Sequence, residues 1–131
     1  MSAEPVVVQQ ADRQWERWPE EQAGQRGDSE WKTLISAGLT ATQGLTLGVA
    51  RLPANGTLRA HRHEQHEAYL LLEGTGVVTI DGSSRAVGPG DSVFIPGNAV
   101  HSIEATGERD LRLAYVFAAD AFEDVEYVFD R

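Results

Sequence analysis

Between Leu45 and Phe117 the chain is a succession of short apolar runs that alternate with a period of two, cut by Gly, Asp, Asn and Ser, with no helical pattern between them. Alternation sends successive side chains to opposite faces, so each run reads as a strand with an inner and an outer side. Leu45, Leu47 and Val49 alternate with small residues before Pro53-Ala54-Asn55-Gly56 supplies a turn. Ala68 to Leu72 ends at Glu73-Gly74, and Val77 to Ile80 runs into Asp81-Gly82, a strong hairpin signal. Arg85 to Val87 stops at Gly88-Pro89-Gly90-Asp91, and Ser92 to Ile95 meets Pro96-Gly97-Asn98. The glycines at 74, 82, 90 and 97 read as turn residues of positive φ. Leu111, Leu113, Tyr115 and Phe117 alternate along the last long run. About eight short strands joined by turns, without crossovers, imply an all-β fold closed as a barrel or jelly roll.

The flanks read differently. Residues 11 to 25 carry Trp15 and Trp18 among charges and predict a short amphipathic helix with its tryptophans on the barrel. Residues 1–30 are then an arm packed on the barrel or on a dimer partner, and residues 31–131 are the barrel itself. Trp31 to Ile35 reads as a first strand that pairs across a homodimer to cover a sheet edge. Ala118 to Glu123 reads as a helical turn, and Val125 to Phe129 is extended. A chain of 131 residues fits one domain and one core. There is no cysteine, which removes disulfides, zinc ribbons, iron–sulfur clusters and thiol nucleophiles.

The net charge of -9 comes mainly from the flanks: residues 1 to 30 hold seven acids against three bases, and residues 118 to 131 five against one. No basic stripe exists to displace counterions from a phosphate backbone, so neither nucleic acid nor an anionic membrane is an expected partner. The first ten residues lack a basic start and a long apolar run, and no stretch approaches the roughly 20 apolar residues of a membrane span. A soluble, cytoplasmic protein is the expectation.

Three of the four histidines and one glutamate form a spaced pattern: His61-x-His63-x3-Glu67, then, after a glycine-rich interval, Pro96-Gly97-x3-His101. His61 and His63 share strand parity and point the same way. After the turn at Glu64 to His66, Glu67 and Tyr69 have the parity to aim inward, and closing the barrel brings His101 opposite. Three imidazoles and a carboxylate suit one divalent transition metal (Fe, Mn, Ni, Zn or Cu) with positions open to substrate. Arg59 shares parity with His61 and is a candidate to hold a substrate carboxylate through a bidentate pair, although a surface position at a strand start is the favoured reading of the residue by itself. His66 has the opposite parity and reads as a turn or rim residue. Neither phosphate-loop glycine pattern is present, and Ser92 and Ser102 lack a third triad member.

These motifs resemble those of the cupin superfamily: Gly56-TLRA-His61-R-His63-EQH-Glu67-AYLLLE-Gly74, followed by Gly90-DSVFI-Pro96-GNAV-His101. Two positions depart from that pattern: Gly97 sits one place earlier than usual, and Ala105 replaces an asparagine sometimes found there. Trp31-Lys32-x-Leu34-Ile35, Gly44-Leu45-x-Leu47-Gly48, Glu67-x-Tyr69, Gly97-Asn98-Ala99-x-His101 and Val125-Glu126-Tyr127 further resemble the small cupin lyases that cleave dimethylsulfoniopropionate. The resemblance implies a metal that holds a small carboxylate substrate, Tyr69 as the base that removes the α-proton, Tyr127 lining the pocket, and dimethyl sulfide and acrylate as products. Other chemistries carried by cupins remain open at this point, including dioxygenation, isomerisation and ligand binding without turnover.

Overall fold

The computed structural model describes residues 3–129. Two antiparallel sheets face each other. The six-stranded sheet runs in the order β1 (Glu16–Arg17), β2 (Glu30–Ile35), β3 (Thr46–Leu52), β10 (Leu111–Phe117), β5 (Glu67–Glu73) and β8 (Ser92–Ile95). The five-stranded sheet runs β11 (Val128–Phe129), β4 (Thr57–Arg62), β9 (His101–Ala105), β6 (Gly76–Ile80) and β7 (Ser83–Val87). The core between them is built from Leu52, Leu71, Val78, Ile95, Ile103, Leu111, Leu113 and Phe117. This is the all-β jelly roll that the alternating runs predict. The Asp81-Gly82 hairpin forms as expected, with Ile80 paired to Ser83 across it. β4 and β5 are consecutive in the chain but lie in opposite sheets, so residues close in sequence arrive on facing walls.

Strand β3 turns its other face inward. Thr46, Gly48 and Leu52 are buried while Leu45 is exposed, the opposite of the parity suggested by Leu45, Leu47 and Val49; Val49 is buried on the reverse side. The reason is nonlocal: Gly48 lies in register with Tyr115 of β10, and a Cβ at position 48 would overlap the tyrosine ring. A glycine here makes room for an aromatic side chain in the barrel interior.

The arm also differs from expectation. Trp15 and Trp18 lie outside any helix: a 3-10 turn at Gln10–Asp12 precedes β1, and the helix α1 spans only Glu20–Arg26. Pro19 marks the start of α1, with Glu20 and Glu21 in its first turn and Arg26 in its last, matching the helix dipole. Trp15 packs beneath the cationic heads of Arg51 and Lys32, at 3.9 and 5.0 Å from its ring centre. The expected first strand forms as β2, which pairs with β3 of its own chain, while β1 covers Glu30 and Trp31 on its other edge. A short 3-10 turn forms at Phe122–Asp124, slightly later than the helical turn expected at 118 to 123. No helix among the described residues is long and apolar enough to cross a membrane.

Candidate metal centre and adjoining chamber

His61, His63 and His101 converge on one wall of the barrel, their donor nitrogens all within 4.8 Å of one another. His61 on β4 is paired in register with His101 on β9, and their ring centres are 4.1 Å apart. His63 follows one residue beyond the end of β4. Glu67 opens β5 on the facing sheet, and its Oε1 lies 3.1 Å from His63 Nε2 and 3.3 Å from His101 Nε2. All four sequence-predicted donors therefore meet in space, and all are buried.

A β-bulge aims the first of them. Leu58 pairs with Ile103 and His61 with His101, so β4 carries one extra residue between these points. The bulge reverses parity: Leu58 lines the interior before it, His61 is buried after it, and Arg59 is left exposed. Arg59 thus does not line the pocket, which corrects its reading as a carboxylate-holding residue. Its carbonyl oxygen has a different use, standing 2.7 Å from His61 Nδ1.

The other two rings are held in the same way, with His63 Nδ1 3.0 Å from Gln65 O and His101 Nδ1 2.9 Å from Ala99 O. A ring whose Nδ1–H donates to a carbonyl keeps its lone pair on Nε2, the form a metal needs. His101 Nε2 is buried without a hydrogen-bond partner, a costly state that a cation would relieve. Three imidazoles and one carboxylate, with one imidazole nitrogen left orphaned, fit a single first-row divalent ion.

Burial, reinforced by the nearby His101, lowers the pKa of His61 to about 3. Below its ordinary pKa the unfolded chain takes up a proton that the folded site refuses. The stability contribution is therefore complete above about pH 6.5 and is lost as the pH falls toward the folded value. Metal-free protein should lose about 2 kcal/mol from this group between pH 7 and pH 5, read as a lower melting temperature. A His61→Gln variant should show a smaller acid shift, and an equal shift in both proteins would contradict the assignment.

The interior beyond these donors is a chamber of about 40 Å³ lined by Glu67, Tyr69, Tyr115, Tyr127, Trp31 and Phe122, among others. Tyr69 is buried on the same face of β5 as Glu67, and its cross-strand partner is Tyr115. Burial, and then the Glu67 charge, raise the Tyr69 pKa well above its ordinary value, so without a metal it is a phenol. Tyr127 reaches the chamber from the segment after the 3-10 turn, its ring centre 5.1 Å from that of His61 and 5.5 Å from that of His63. Its pKa too is raised by burial and by Glu67.

Sequence reasoning assigned no site role to Trp31, Tyr115 or Phe122. For Tyr115 a signal existed, since the alternation along β10 puts it on the same face as Phe117. The Trp31 Nε1 and the Tyr115 hydroxyl are buried without partners. His66 sits exposed at the rim, as expected, and its Nδ1 accepts a hydrogen bond from the Gly97 N–H at 2.8 Å. At the Pro96 turn the left-handed backbone belongs to Asn98 (φ 65°), not Gly97. Gly97 is needed instead for close approach, because a Cβ there would overlap the Glu64 carbonyl.

A closed jelly roll with three histidines and a glutamate converging on its inner wall defines the class, and residues 48–117 match the Cupin domain family, to which the chain belongs. Over 103 residues it is 44% identical to dimethylsulfoniopropionate lyase DddW of Ruegeria pomeroyi, covering 79% of this chain and 67% of the relative. Over 94 residues it is 31% identical to an oxalate-binding protein of Thermotoga maritima, covering 71% of this chain and 78% of the relative. Among solved structures, the polyketide cyclase RemF from Streptomyces resistomycificus superposes with a TM-score of 0.77 at 21% identity, covering 98% of this chain and 87% of its own. That last likeness is one of fold.

Proposed function

We propose that the protein is a metal-dependent carbon–sulfur lyase that converts dimethylsulfoniopropionate into dimethyl sulfide and acrylate by β-elimination. The observation that carries this reading is Tyr69, buried beside Glu67 on the chamber wall of a chain 44% identical to a lyase named for that substrate. The substrate has a carboxylate at one end and a permanent sulfonium cation at the other. The aromatic faces of Trp31, Tyr115, Phe122 and Tyr127 line the same chamber and suit a cation that offers no hydrogen-bond donor.

His61, His63, Glu67 and His101 would hold the metal, which when bound supplies a Lewis acid for the carboxylate and for negative charge developing at the α-carbon. The Tyr69 oxygen takes the α-proton. The C–H electron pair becomes the C=C bond of acrylate, and the Cβ–S bond breaks with its electrons going to sulfur as neutral dimethyl sulfide. Tyr127 packs against His61 and His63 and orients the substrate from the opposite side.

The raised pKa of Tyr69 gives this chemistry a pH signature. Only the phenolate is a base, and below its pKa the phenolate fraction grows with pH. Metal-loaded protein should therefore release dimethyl sulfide at a rate that climbs from neutral into alkaline pH, measured by headspace gas chromatography. No release at any pH would overturn the proposal.

The identity to an oxalate-binding protein favours a second reading, a cupin that binds a small carboxylate without turning it over. In that case oxalate raises the melting temperature of the metal-loaded protein while no substrate is consumed.

A further inference from the structure

The chamber is narrow. About 40 Å³ has room for about three water molecules, too little for a carboxylate that also carries a sulfonium group. The cover over His61 is the strand β11: Phe129 pairs with His61, and the two ring centres are 5.0 Å apart. Tyr127 is stacked against Phe129 at 6.0 Å and 12°, so whatever holds Phe129 also holds Tyr127 over the metal donors. Among the described residues, the backbone pairing of β11 comprises Val128↔Arg62 and Phe129↔His61.

A second fastening comes from the arm. Arg26, the last residue of α1, places its guanidinium carbon 4.8 Å from the Phe129 ring centre and 5.0 Å from that of Trp18. Its own position is set by neighbours anchored to β4 and to the residue preceding β2: the Asp28 N–H donates to Thr57 O at 2.7 Å, and the Trp18 indole N–H to Ser29 Oγ at 3.0 Å. The Trp18 and Phe129 rings themselves meet edge to face at 5.6 Å, and a guanidinium packed against both gains cation–π attraction to each, which a lysine ammonium reproduces only in part.

We propose that Arg26 is a positioning residue: packed against the edge-to-face pair of Trp18 and Phe129, it clasps β11, and with it Tyr127, over the metal pocket, and ligand reaches the chamber when this clasp opens. The consequence for turnover rests on the lyase reading, whereas the clasp itself does not.

The test is amide hydrogen exchange at Val128 and Phe129 in the metal-loaded protein, followed by NMR. Arg26→Gln should speed exchange there about tenfold, with β10 unchanged and Arg26→Lys intermediate. Unchanged exchange in Arg26→Gln overturns the proposal. Phe129→Leu, which keeps the backbone pairing and removes the other half of the contact, should accelerate exchange similarly, and the double variant should add little; full additivity of the two also overturns it. With dimethylsulfoniopropionate as substrate, Arg26→Gln should raise KM several-fold and leave the pH profile of turnover in place. Wild-type protein that shows the exchange pattern but releases no dimethyl sulfide removes the lyase reading and leaves the clasp standing.

Discussion

Replacing His101 by alanine should leave a folded barrel that no longer retains one equivalent of divalent metal and whose turnover falls by roughly a thousandfold. The size of the effect follows from the position of His101 among the donors. Its Nδ1 is committed to the Ala99 carbonyl, its Nε2 is buried with no hydrogen-bond partner, and its ring packs 4.1 Å from that of His61. Alanine deletes one of four donors from a site too enclosed for a water molecule to be held as firmly in its place. Metal analysis of the dialysed protein and the dimethyl sulfide assay read the two losses separately. His66→Ala is the control, because His66 is exposed and hydrogen-bonded to Gly97 at the rim. Full metal content in His101→Ala would exclude the four-donor site.

Tyr69→Phe should lower kcat by about a hundredfold to ten-thousandfold while metal content and folding stay as they are. Phenylalanine keeps the ring that packs on β5 and removes only the oxygen. A buried phenol whose pKa is raised by desolvation and by Glu67 is a poor base until a cation offsets both influences, so the proposed role binds the tyrosine to the metal site. The alternative role, orienting a ligand side chain, has a different outcome: metal affinity would fall by roughly tenfold to a hundredfold, with kcat restored at saturating metal. A titration of activity against metal concentration in Tyr69→Phe separates the two, and undiminished kcat excludes Tyr69 as the base.

Much of the candidate site's geometry was legible because its parity is local. Glu67, Tyr69 and Leu71 alternate inward along an unbroken strand, and all three are buried. His61 and His63 keep their relation for the same reason. Arg59 was misread because the bulge lies between it and His61, and an extra residue in a strand leaves no mark in a pattern as short as Leu58-Arg59-Ala60-His61. The inner face of β3 is not legible in the Leu45, Leu47 and Val49 alternation because its register is decided by Tyr115, a partner distant in sequence whose ring needs the space above Gly48. In the arm the information was present, since Pro19 divides residues 11 to 25, yet charges with two tryptophans mimic an amphipathic helix. The rest of the chamber's aromatic lining was the least legible part. Trp31 and Phe122 come from separate segments and join Tyr127, which the resemblance had already put at the pocket, only when the sheets close.

The donors are divided between the layers: His61 and His101 stand on strands of the five-stranded sheet, and Glu67 stands on the six-stranded one. A cation shared among them would act as a rivet through the sandwich, joining two sheets that otherwise adhere through nondirectional apolar packing. Mechanical strength and reactivity would then reside in the same bonds, and a variant that loosens the chemistry would also let the two walls slide.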